Sequence, residues 1–219
     1  MQRSSYKFLA LSVCTVWAFI SLNVLAQSSS FAKLQFGETI FLEVPRNWTY
    51  LNEQIRQHLN TGSEAVGRLA GLPVAQGDNQ ILLAANAFTS FKTPSATVRL
   101  SVRPGPGLTQ ADVRELAKYP KAELDSVFGP ILTETARALH SIEGVKYAKA
   151  LDLQVKSNRY ISCIFTEFEY AKPDGISLSQ TWLCPMDDKA VKLSTSYRKT
   201  EATLFKPVIT HVWESLRAK

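Results

Sequence analysis

Residues 145–198 read VKYAKALDLQVKSNRYISCIFTEFEYAKPDGISLSQTWLCPMDDKAVKLSTSYR. Four runs rich in β-branched and aromatic residues stand out: Val145 to Val155, Arg159 to Tyr170, Ile176 to Cys184 and Val191 to Arg198. They are separated by Lys156-Ser157-Asn158, Lys172-Pro173-Asp174-Gly175 and Asp187-Asp188, connections short enough to join antiparallel neighbours only. This predicts a four-strand antiparallel meander. The run from Thr203 to Leu216 then places Leu204, Phe205, Val208, Ile209, Val212, Trp213 and Leu216 on one stripe. Lys206, Thr210, Glu214 and Arg217 lie opposite, so the chain should close with an amphipathic helix lying on the sheet.

Upstream, Ile40, Leu42 and Val44 alternate, and Pro45 stops an opening strand just before Trp48. Residues 52–70 turn helical, with Ile55, Leu59, Val66 and Leu69 in phase, weakened by Gly62 and Gly67. Two more strands are expected over Ile81 to Phe88 and Thr97 to Arg103. Pro104 to Gly107 breaks the sheet, and Thr109 with Asp112 three residues on marks a helix start. The long central helix that follows should be interrupted near Pro120 and again near Pro130. Strands in sequence with helices segregated from them make the class α+β: an antiparallel sheet packed by the central helix and the C-terminal helix.

The first 26 residues have a different character. Arg3 and Lys7 precede an apolar run from Phe8 to Leu22, which ends at Val24-Leu25-Ala26. This reads as a secretory signal peptide cleaved after Ala26, with Cys14 discarded along with it. The other reading, an uncleaved anchor, comes from the length of the apolar run. Cleavage leaves residues 27–219 as a single α+β domain with 52–70 as a helical insertion, without a membrane span, in the periplasm or outside the cell. The chain has 25 basic and 19 acidic residues, and removing Arg3 and Lys7 leaves an excess of four positive charges. No basic run forms a nucleic-acid footprint.

Cys163 and Cys184 remain, an even pair in an oxidising compartment, and a disulfide between them is expected. A two-residue loop at Pro173-Asp174 sets the two thiols opposite each other. A three-residue loop ending in a left-handed Gly175, which the Pro-Asp-Gly sequence favours locally, slips the register by one and turns them to opposite faces.

No constellation specifies a chemistry. His58, His140 and His211 are isolated, and neither metal-ligand spacing nor cofactor fingerprint is present. Ser196 and Lys199 have a Ser-x-x-Lys spacing, but late in a strand rather than at a helix start. Glu167 and Glu169 share one strand face and read as solvated. Pro104 to Gly107 lacks the Lys and Ser/Thr of a phosphate loop and reads as a connector. The hairpin concentrates aromatic side chains on both faces, so one face is either buried or forms a binding surface built from Tyr160, Phe168 and Tyr170.

The element order resembles the PsbP-like α/β/α sandwich: Val44-Pro45 with Trp48, a strand pair, a long helix, a four-strand meander and a closing helix. That superfamily includes extrinsic photosystem subunits, nuclear Ran-binding relatives and bacterial envelope proteins. The resemblance implies a non-catalytic binding or assembly role and assigns no functional residue. The helical segment 52–70 departs from the pattern. The function expected is an exported, non-enzymatic protein that binds an envelope protein or ligand, the alternative being an envelope hydrolase or carbohydrate-active enzyme with a scattered site.

Overall fold

The computed structural model describes residues 30–69, 77, 79–89, 92–105, 107–142 and 144–219, apart from the side chains at 63, 66 and 67. The leader read over residues 1–26 lies outside the described residues. In chain order the elements are β1 (Phe31–Phe36), β2 (Ile40–Pro45), β3 (Thr49–Tyr50), α1 (Glu53–Leu69), β4 (Gln80–Ala87), β5 (Ala96–Pro104), α2 (Gln110–Leu116) and α3 (Lys121–His140). There follow β6 (Tyr147–Ser157), β7 (Ser162–Lys172), β8 (Gly175–Pro185), β9 (Lys189–Arg198), α4 (Ala202–Ser215) and β10 (Arg217–Ala218).

Seven strands form one antiparallel sheet in the order β3-β4-β5-β9-β8-β7-β6, and β1-β2-β10 form a second, small sheet. The class is α+β, as the sequence implies. α1, α2 and α3 cover one side of the large sheet, while α4 and the small sheet cover the other. The expected meander is present as β6 to β9.

The apolar core fills the α4 side. Val98 and Leu100 of β5, Val191 and Leu193 of β9, and Trp182 of β8 meet Phe205, Ile209, Val212 and Trp213 of α4. Trp182 and Trp213 stack with ring centroids 5.3 Å apart and planes 13° apart. Leu204, placed on the buried stripe by periodicity, is exposed instead, because it lies at the edge of that stripe in the first turn of the helix.

One further expectation is corrected, and two features of the fold were not anticipated. β1 was not read from sequence; it pairs with β2 and leaves Lys33 and Gln35 exposed, so it lacks a continuous apolar run. α3 runs unbroken through Pro130. The carbonyl freed at Ser126 lies on the solvent side, so the missing bond is replaced by hydration rather than by a break. At Pro120, in contrast, α2 and α3 are separate helices; the Thr109 capping box opens α2.

The other unanticipated feature is the orientation of α1. Its apolar stripe points away from the sheet, with Ile55, Leu59 and Leu69 exposed. The side turned inward is polar: Arg56, Asn60 and Glu64. Glu64 is only 3% exposed and accepts from the amide N–H of Gly77 at 3.1 Å and of Asn79 at 3.4 Å. The sheet face on this side is itself polar, so a polar helix face satisfies more hydrogen bonds there than an apolar one.

The β7–β8 hairpin closes through the two-residue loop Pro173-Asp174, with Lys172 opposite Gly175. That register carries on to Cys163 and Cys184, which form a disulfide with Cα atoms 4.2 Å apart. Gly175 still takes a positive φ of 126°, but as the first residue of β8 rather than as part of a longer loop. Gly105 has a different role. A Cβ there would come within 3.1 Å of the Lys189 backbone nitrogen, so the connector between β5 and α2 needs glycine for close approach.

Candidate functional site

The two central strands differ sharply between their faces. β5 alternates Thr97, Arg99, Ser101 and Arg103 with Val98, Leu100 and Val102; β9 alternates Lys192, Ser194, Ser196 and Arg198 with Val191, Leu193 and Tyr197. The register sets Thr97 against Ser196, Arg99 against Ser194 and Ser101 against Lys192. Every basic residue of the two strands except Lys189, which turns to the other side and donates to Thr39, and most of the hydroxyls therefore face the helix layer.

At the end of this face near the β7–β8 turn lies a cleft of about 480 Å³. Arg99, Thr97, Ser196, Tyr170, Ser177 and Lys172 supply its chemistry, and Pro173-Asp174 forms one wall. Arg99 is half-buried and donates only to neutral acceptors: the Ala85 and Val98 carbonyls, each at 2.8 Å, and Asn86 Oδ1 at 2.6 Å. No carboxylate among the described residues pairs with it. Burial lowers its pKa to about 10, with Tyr170 pulling weakly the other way. At neutral pH it stays charged, so the shift records desolvation of a cation that no protein anion offsets.

Asp174 is the carboxylate of the cleft, and it is engaged. Arg198, whose side chain is buried, donates to Asp174 Oδ2 at 2.9 Å and also to Thr93, whose hydroxyl donates to the same carboxylate. These contacts hold the Asp174 pKa below the ordinary carboxylate range, the Thr93 hydroxyl contributing most and Arg198 next among the favourable causes. Thr97 and Ser196 hydroxyls bond each other at 2.8 Å. The Tyr170 and Ser177 hydroxyls have no protein partner among the described residues, and Lys172 Nζ lies 5.2 Å over the Tyr170 ring. Further along the same face, Lys192 is largely buried and unpartnered among the described residues. Burial, then neighbouring Arg103, lowers its pKa.

The three aromatic residues proposed as a binding surface do not come together. Tyr170 lines the cleft. Phe168, 7% exposed, belongs to the packed interior. Tyr160, 40% exposed, sits before β7 with Arg217 4.3 Å from its ring centroid, away from the cleft. Phe168 is thus buried away from any recognition surface, while Tyr170, two residues further along the same strand, reaches the cleft.

The remaining sequence candidates are engaged elsewhere. Lys199 pairs with Glu169 at 2.6 Å rather than with Ser196. Glu167 accepts from Gln180 at 2.6 Å. His140 contacts the Lys146 carbonyl, and His211 pairs with Glu43 at 2.8 Å on the outer side of α4, beside a more open depression of about 440 Å³. No group of three or more metal-ligating side chains occurs among the described residues.

The cleft residues Arg99, Thr97 and Ser177 were missed from sequence, and Ser196 was considered only for its Ser-x-x-Lys spacing with Lys199. Their signal was present, since Thr97 to Arg103 and Lys192 to Arg198 both alternate apolar with basic or hydroxyl residues. It becomes a site only when register places the two strands side by side.

No protein-family model and no curated protein matches the sequence. Among solved structures, the chain is similar to cyanobacterial PsbP, CyanoP, of Synechocystis sp. PCC 6803. The TM-score is 0.54 at 9% identity over 87% of this chain and 94% of that one. It also aligns with LpqN, described as involved in cell envelope biogenesis of Mycobacterium tuberculosis, with a TM-score of 0.39 at 14% identity over 86% of this chain and 90% of that one. The chain therefore has the PsbP-like fold. The Cys163–Cys184 bridge fits an extracytoplasmic location. No helix among the described residues is long and apolar enough to cross a membrane.

Proposed function

We propose that this protein is an exported, non-enzymatic binding module of the cell envelope, released into the periplasm or medium by cleavage after Ala26, and that its recognition site is the cleft beside Arg99. The observation carrying this reading is a cavity of ligand size on which a cation and unpartnered hydroxyls converge without any group to activate them. Concave sites with a few convergent polar groups are where small ligands are held. A hydrolase needs an unengaged base beside a nucleophile. Here the Ser196 hydroxyl faces Thr97, Asp174 is held by Arg198, and no histidine lines the cleft.

The test is to purify the protein from its native envelope and weigh it by native mass spectrometry, before and after acid stripping. The mature protein should begin at Gln27 and carry a bound mass that acid releases. A chain retaining Met1 refutes the export reading, and a bare mass refutes the binding reading.

A further inference from the structure

We infer that the cleft takes a phosphate group, anchored by Arg99 with Lys172 at the rim and the hydroxyls of Tyr170 and Ser177 completing its hydrogen bonds. The inference rests on the binding-module reading and names the ligand chemistry for the same cavity. Charge comes first. Asp174 is neutralised by Arg198, so the charges left uncompensated in the cleft are those of Arg99 and Lys172, a match for the roughly −1.5 to −2 of a phosphate monoester.

Donor geometry comes second. The guanidinium carries five N–H groups in a planar fork, and three of its hydrogen bonds go to Ala85, Val98 and Asn86. Those three contacts fix the orientation of the side chain and leave donors for a bidentate contact. The Ser177 and Tyr170 hydroxyls add two donors that no protein acceptor occupies among the described residues. A phosphate has three terminal oxygens to receive such a set, whereas a carboxylate has two.

The third observation is the surrounding field. Lys192 stands opposite Ser101, one step along the face from Ser194, the partner of Arg99, and has no anion of its own. A face carrying several cations behind a concave cleft raises the local anion concentration. The burial that lowers the pKa of Arg99 is the unfavourable desolvation that a bound anion would offset.

The experiment is titration of ¹⁵N-labelled mature protein with inorganic phosphate at constant ionic strength, followed by the amide resonances of Thr97, Arg99 and Ser177. Saturable shifts confined to the cleft are expected, with affinity at least tenfold lower in Arg99→Leu and no change in Lys206→Ala on the outer face of α4. Ser177→Asp serves as the second variant, since it puts a repelling carboxylate into the cleft without touching the Arg99 hydrogen bonds; it should also lose tenfold or more.

Vesicles containing phosphatidic acid, compared with pure phosphatidylcholine, separate the sources. Capture abolished by Ser177→Asp assigns a lipid headgroup. Phosphate binding without capture assigns a soluble phosphate, and either result upholds the inference. Absence of saturable shifts, or wild-type affinity in both cleft variants, overturns it. If phosphate fails while envelope-purified protein still carries a bound mass, the inference falls and the binding reading stands.

Discussion

Reducing the Cys163–Cys184 bridge should lower stability by about 3 kcal/mol. Both cysteines are fully buried between neighbouring strands, with a sequence separation of 21. In the chain-entropy treatment, opening a loop of that length returns roughly 11 cal/mol/K to the unfolded chain, about 3.3 kcal/mol at 25 °C. For a domain of this size that corresponds to a fall in Tm of roughly 7–13 °C. The assay is urea unfolding of oxidised and reduced wild-type protein, followed by fluorescence of Trp182, which lies two residues from the bridge. Comparing redox forms of one chain avoids the packing loss that a Cys→Ala change would add. The oxidised midpoint should be the higher, with reduction slow under native conditions because reductant must wait for the hairpin to open. Coincident midpoints, or two free thiols in the unfolded, unreduced protein, would refute the reasoning.

Trp213→Ala should destabilise by about 3–5 kcal/mol in thermal or urea unfolding, since it removes the ring stacked on Trp182 and leaves a cavity between α4 and the sheet. Asp174→Asn should destabilise by about 1–2 kcal/mol, the charge-assisted bond from Arg198 being discounted for the partial exposure of Asp174. Because the folded pKa of Asp174 is depressed, that contribution is present above the ordinary carboxylate range and is lost as pH falls through the depressed value, so wild type and variant should converge in acid melts. Lys192→Met should raise Tm at neutral pH. The folded pKa of Lys192 is lowered, the unfolded chain binds more protons, and wild-type stability therefore rises with pH up to the ordinary lysine range of about 10.4. The variant should lack that rise, and an unchanged pH profile would contradict the assignment.

The meander and the closing helix were legible because their signals are local: alternation, short turns and a continuous apolar stripe. The resemblance in element order to the PsbP-like sandwich rested on the same local signals. β1 was not legible, since an edge strand in a small sheet buries little and leaves no apolar run. α1 was found as a helix, yet periodicity alone does not say which of its faces turns inward. Ile55, Leu59 and Leu69 obey the helical repeat, but the surface beneath the helix is polar, so Glu64 turns inward. Hairpin register likewise depended on a contact remote in sequence. Asp174 is fixed by Arg198 and Thr93, and the Pro-Asp-Gly preference for a longer loop is overridden. The cleft is the extreme case, because Arg99 and Ser196 share it through a strand pairing that separates them by nearly a hundred residues.

The claim that this protein holds its ligand in the cleft beside Arg99 is tested most directly by amide hydrogen exchange, comparing envelope-purified protein with the same protein after acid stripping and refolding. Slowed exchange in the bound form is expected over residues 93–99 and 170–177, with no change over residues 203–214 along α4. Protection confined to α4, or identical exchange in the two forms, would contradict the account.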